Sequence, residues 1–142
     1  MPTITEAVVT PGAVSGSPHR PSGILVVDDT EIIRDLLDVG LQASEFDVWL
    51  ASGGRAGLVA YLKNRLEIDV LLLDVRMPGW DGPETLAAIR AHDAAVPCCF
   101  MSGDMGLYTE EHLLGLGAAA VFLKPFRLGE LTAQLRRLTS PS

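Results

Sequence analysis

Between residues 24 and 139 the chain alternates between two hydrophobic textures. Apolar runs of strand length recur at ILVV (24–27), FDVWLA (46–51), DVLLL (69–73), CCFM (98–101) and AVFL (120–123). Between them, apolar positions fall three and four apart, the period of a half-buried helix. Residues 30–43 place Ile32, Ile33, Leu36, Leu37 and Leu41 on one face, with Glu31, Arg34, Asp35 and Asp38 opposite. Residues 53–65 repeat this with Leu58, Val59 and Leu62. Pro83 suits a first helical turn and opens PETLAAIRAH. YTEEHLLGLG predicts a short helix, interrupted by Gly115 and ended by Gly117. The last helix, 127–139, spaces Leu128, Leu131, Leu135 and Leu138 as a core stripe.

Five strands alternating with five helices predict a doubly wound α/β sheet. The runs at 24, 69 and 98 are apolar throughout, as parallel strands covered on both faces should be. Right-handed crossovers then bring every strand's C-terminal end to one edge, where sites form in such sheets.

The 142 residues are one domain's worth of chain. The opening MPTITEAVVTPGAVSGSPHRPSG holds four prolines and three glycines without a sustained period. It reads as a flexible tail over residues 1–22, with the folded domain from 23 to 142. A short edge strand through EAVV is the alternative. The formal charge of −7 sits in the folded part, because the tail's Glu6 and Arg20 cancel. An acidic domain without a Lys/Arg stripe is a poor direct binder of nucleic acid. Cys98 and Cys99 are neighbours in an apolar run and read as free, buried thiols in a reducing compartment. They make no metal-ligand spacing with His19, His92 or His112, and no function is assigned to those histidines. No targeting signal or membrane-length apolar run is visible, so a cytoplasmic location is expected.

The strand ends carry the candidate chemistry. The first strand runs into Asp28-Asp29, the third into Asp74, the fourth into Ser102-Gly103 and the fifth into Lys124-Pro125. Carboxylates gathered from two strands repel one another, which raises a pKa unless a cation intervenes. Oxygen ligands favour a hard ion, Mg²⁺ above others. A lysine nearby would hold an anion. Together these are the parts that stabilise a transferring phosphoryl group, and a carboxylate can itself be the nucleophile.

ILVVDD, LLLDVRMPGWDG, FMSG and FLKPF, in that order at strand ends, resemble the signature blocks of the response-regulator receiver domain. The resemblance covers about residues 22–139. It implies a flavodoxin-like sheet of order 2-1-3-4-5 with five helices. It implies that Asp74 accepts phosphate from a sensor histidine kinase or a histidine phosphotransfer protein. Asp29 would then bind Mg²⁺ directly, with Asp28 assisting and Arg76 lending its backbone carbonyl. Lys124 would grip a phosphoryl oxygen, its bond to Pro125 being cis. Ser102 would turn to the phosphoryl group and carry the change outward. Met77, Pro78 and Gly82 would shape the metal pocket, and Trp80 would either rim it or pack nearby.

The chain departs from that pattern in three places. Val121 stands where receivers usually carry the aromatic half of the switch, and Phe122 points to the other face of its strand. Arg76 and Asp104, two residues beyond Asp74 and Ser102, suggest a salt bridge across the mouth of the site. Only Thr-Ser-Pro-Ser follows Leu138. Unless the chain is a piece of a longer protein, output is expected through contact with another protein, without direct binding of nucleic acid or membrane. The surface of the fourth helix, fifth strand and fifth helix, bearing Glu110, Glu111, Arg127, Arg136 and Arg137, is the expected face for that contact. The reading is a signalling module whose only chemistry is its own phosphorylation and dephosphorylation. A constitutive docking module not switched by phosphate is the alternative. A phosphatase of the haloacid-dehalogenase type needs an acid two residues after its nucleophile, where Arg76 stands. A nucleotide site fails because the first strand runs into DDTEI and not a glycine-rich loop.

Overall fold

The computed structural model describes residues 20–140. Elements alternate throughout: β1 Gly23–Val27, α1 Glu31–Ala43, β2 Asp47–Ala51, α2 Gly54–Asn64, β3 Val70–Asp74, α3 Gly82–Arg90, β4 Cys98–Ser102, α4 Glu110–Gly115, β5 Ala120–Leu123 and α5 Leu128–Thr139. The strands form one sheet in the order β2-β1-β3-β4-β5, and every pairing is parallel. Central strands β1, β3 and β4 are buried along their whole length, which is why they lack polar alternation. Among the described residues no helix is long and apolar enough to cross a membrane.

Strand alternation divides the core in two. Leu25, Val27, Leu71, Leu73 and Phe100 face α2, α3 and α4, meeting Tyr61, Leu86, Ile89 and Leu113. Ile24, Val26, Leu72 and Met101 face α1 and α5, meeting Leu37, Leu41, Leu131 and Leu135. Cys98 and Cys99 lie on opposite faces and are free and buried, and burial pushes both thiols well above their ordinary range.

Two helices turn differently from the expected faces. On α1 the buried residues are Leu37, Gly40 and Leu41, whereas Ile32 and Leu36 are 75% and 57% exposed. The apolar positions form two adjacent stripes, and only the one that includes Gly40 lets the helix sit close against Leu128 of α5. On α2 the buried face is Gly54, Gly57 and Tyr61, leaving Val59 and Leu62 exposed. Gly57 brings the helix against Val27, where a Cβ would stand 2.9 Å from a valine methyl. Tyr61 then fills the core while its hydroxyl donates to Asp93 at 2.6 Å.

Most of the expected tail, including EAVV, lies outside the described residues. At its end, Arg20 donates to both carboxylate oxygens of Asp69 at 2.9 Å and to the carbonyls of Leu66 and Glu67. Asp69 also accepts the Gly23 N–H, tying the start of β1 to the start of β3.

Candidate functional site

Parallel register places the strand-end residues together. β3 and β4 align Asp74 with Met101, and β4 and β5 align Ser102 with Leu123. Ser102 and Lys124 therefore stand one residue beyond those partners, at the same edge as Asp74. Asp28 follows β1 and is fully buried; Asp29 beside it is exposed. One oxygen from each of Asp28, Asp29 and Asp74 lies within 4.8 Å of the others.

Local contacts fix these groups. Asp28 Oδ1 accepts the Thr30 N–H at 2.8 Å, a short turn that folds its carboxylate back over the strand end. The residue capping α1 is Thr30, so neither aspartate is spent as the helix cap. Arg34, one turn into α1, donates from Nη1 to the Asp28 carbonyl at 2.7 Å and holds the Asp28-Asp29 corner from behind. Nothing in the sequence pattern marks Arg34 for that role, since it reads as one more charge on a solvated face.

Lys124 extends from the end of β5, and its bond to Pro125 is cis. Its Nζ donates to Asp28 Oδ2 at 2.9 Å and to Asp74 Oδ1 at 3.4 Å. Burial works against its charge, but the hydrogen bond to Asp28 and the field of Asp74 outweigh it, and its pKa is raised. Ser102 is buried, and its Oγ has no hydrogen-bond partner among the described residues. A buried hydroxyl without a partner costs about 1–3 kcal/mol, so this one waits for an acceptor.

Asp74 is pushed up to about 6, first by burial and then by the charge of Asp28, with Lys124 pulling the other way. A carboxyl whose folded pKa lies above its unfolded value destabilises the fold once ionised. The penalty sets in near the unfolded value of 3.8, grows toward pH 6 and is complete above it. Asp74→Asn is therefore expected to stabilise the metal-free protein by about 1–2 kcal/mol at pH 7.5, allowing for solvent screening, and by almost nothing at pH 4. Urea unfolding in a chelating buffer at the two pH values checks this.

The loop after β3 builds the floor. Gly82 lies where a Cβ would stand 2.5 Å from the Asp74 carbonyl oxygen and 3.0 Å from Val75 Cα. Gly79 takes φ +76°, the left-handed turn that reverses the loop. Asp81 caps α3 in a reciprocal pair with Glu84, at 2.9 Å in each direction. Trp80 leans on the start of α2, where the Arg55 guanidinium lies 4.4 Å over its ring.

At the mouth, Arg76 Nη1 and Asp104 Oδ2 pair at 2.9 Å. Tyr108 Oη donates to Asp81 Oδ2 at 2.7 Å, a contact that no spacing in the sequence announces. Val121 packs in the core on the α3 side, and Phe122 faces α5, stacked edge-on with Phe126 at 6.1 Å. No aromatic of β5 thus faces Ser102.

Three hard oxygen donors, one pushed toward neutrality by burial and then by another's charge, suit a divalent cation that would relieve the repulsion. The donor set fits Mg²⁺.

A sequence profile described as "Response regulator receiver domain" matches residues 24–136. The chain is 36% identical over 115 residues to the "Transcriptional regulatory protein PrrA" of Mycobacterium tuberculosis, covering 81% of this chain and 48% of that protein. The chain spans at most about half the length of curated relatives such as this one. Among solved structures, a response regulator receiver protein from Pseudomonas putida superposes with a TM-score of 0.77 at 30% identity, covering 85% of this chain and 99% of that one. The chemotaxis protein CheY4 of Vibrio cholerae superposes with a TM-score of 0.75 at 28% identity, covering 83% of this chain and 98% of that one.

Proposed function

The chain belongs to the response-regulator receiver family, and from that premise we propose that Asp74 accepts a phosphoryl group from a phosphohistidine. The donor is a sensor histidine kinase or a histidine phosphotransfer protein, and the exchange takes place in the cytoplasm. The observation that carries this reading is a buried carboxylate flanked by a lysine ammonium and by a serine hydroxyl with no partner of its own. Such a constellation is complementary to an acyl phosphate and not to the free acid.

Asp74 Oδ attacks phosphorus, an O–P bond forms, and the P–N bond to the donor imidazole breaks. Lys124 leaves Asp28 or Asp74 to meet a phosphoryl oxygen, and Ser102 Oγ donates to another. Asp28, Asp29, Asp74 and the Arg76 backbone carbonyl would hold Mg²⁺, which when bound offsets the negative charge of carboxylates and phosphoryl oxygens alike. The donor must approach the edge where the strands end. There α1 presents Ile32, Leu36 and Val39 as an exposed apolar stripe that fits a protein surface. Chemistry is confined to gain and loss of this one phosphoryl group. Its effect passes through protein contacts or onward relay of phosphate, by way of the α4–β5–α5 face.

Treating the protein with acetyl phosphate and then borohydride tests which carboxylate reacts. An aspartyl phosphate is reduced to homoserine, which peptide mapping should find at position 74. Homoserine at 28 or 29 would overturn the assignment.

The Arg76–Asp104 pair partly shields the acyl phosphate from water. Both side chains are well exposed, so the pair is worth about 0.2–1 kcal/mol. Arg76→Ala should accordingly speed loss of phosphate about two- to fivefold in a single-turnover assay, and an unchanged rate would remove this role. A constitutive docking module is the second reading, favoured by Val121 in place of an aromatic. It predicts that partner binding is the same before and after acetyl phosphate.

A further inference from the structure

Outside the carboxylate cluster, the β3–α3 and β4–α4 loops wall an open groove of about 700 Å³. Its apolar surface comes from Met77, Met105, Leu107 and Tyr108, and Leu107 is fully exposed. The groove is held by the chain itself. Arg76–Asp104 ties its walls together at 2.9 Å, and Tyr108–Asp81 does so at 2.7 Å. Gly106, at φ +64°, lets the loop close over the Arg76 side chain, which would stand 2.9 Å from a Cβ there.

The charge of the rim is one-sided. Asp81, Glu84 and Asp104 line the groove with Arg76 as the cation among them, and Glu110 and Glu111 follow in the first turn of α4. Arg76 is neutralised by Asp104. The hydrogen bonds that the Asp81 and Glu84 carboxylates accept come from backbone N–H groups and a tyrosine hydroxyl. Neutral donors leave their negative charge available to a cation.

We propose that this groove docks a cationic amphipathic segment of a partner protein. Apolar side chains would lie on the two methionines, Leu107 and Tyr108, while lysines or arginines face Asp81, Glu84, Glu110 and Glu111. Thioethers adapt to irregular apolar partners, and the volume is that of a cleft that takes a few side chains. The same field repels nucleic acid and anionic membrane, which leaves a basic protein segment as the fitting occupant. The groove lies beside the α4–β5–α5 face and shares with it only the first turn of α4, at Glu110 and Glu111.

A fluorescein-labelled 14-residue peptide of leucines and lysines at helical spacing is the probe, titrated with the unphosphorylated full chain at physiological salt. Fluorescence anisotropy should show saturable binding, absent when glutamate replaces every lysine of the peptide. Leu107→Ala and Glu111→Lys should each weaken it at least fivefold. Glu67→Lys makes the same charge change beside the start of β3, at the opposite edge of the sheet, and should leave it within twofold. Absence of binding, indifference to Leu107→Ala, or equal weakening by Glu67→Lys would overturn the proposal. The last result would reduce the effect to general attraction toward an acidic chain.

Discussion

Lys124→Met lowers the rate at which acetyl phosphate modifies Asp74 by about two to three orders of magnitude, the usual cost of removing one preorganised charge from a transition state. Its Nζ reaches Asp28 and Asp74 at once, so it stands where negative charge would accumulate in the proposed attack on phosphorus. The side chain is 20% exposed, and Asp28 is fully buried. Removing the cation strands a buried carboxylate, which should also destabilise the fold by about 3 kcal/mol near neutral pH. The two effects separate by measurement. Quenched-flow phosphorylation reads the first at a temperature where the variant is folded, and urea unfolding reads the second. A phosphorylation rate within threefold of wild type would show that Lys124 does not meet the transferring group.

Gly82→Ala destabilises the protein by about 2–3 kcal/mol, because the added methyl meets backbone and not a side chain that could swing aside. That corresponds to a melting temperature lower by roughly 8 °C for a domain of this size. The backbone it displaces is that of Asp74 and Val75, so phosphorylation should slow even where the variant is folded. Gly53→Ala is the matched control, for a Cβ there meets nothing within 4 Å and its φ of −172° is ordinary extended backbone. A Gly82→Ala protein as stable as that control would mean that the loop under Asp74 yields easily.

Much of this architecture is legible in the chain. Apolar runs ending in Asp28, Asp74, Ser102 and Lys124 are the strands, and a parallel sheet has little choice but to deliver those residues to one edge. Periodicity could not say which of two apolar stripes a helix buries. Ile32 and Leu36 of α1 and Val59 of α2 are exposed because Gly40 and Gly57, which hydrophobicity ignores, allow the closest approach to neighbouring elements. Contacts between loops were equally hidden. Arg76–Asp104 could be anticipated from two positions that both flank the site, whereas Tyr108–Asp81 and Arg34–Asp28 join residues that no motif connects.

The central proposal is that Asp74 accepts the phosphoryl group with the assistance of a divalent cation. Intact mass after brief incubation with acetyl phosphate tests it most directly, for wild type and Asp74→Ala, each with Mg²⁺ and with a chelator. One added phosphoryl group, seen only when Asp74 and Mg²⁺ are both present, is the expected result. No adduct in wild type at any time from milliseconds onward, or an adduct that survives Asp74→Ala, would contradict it.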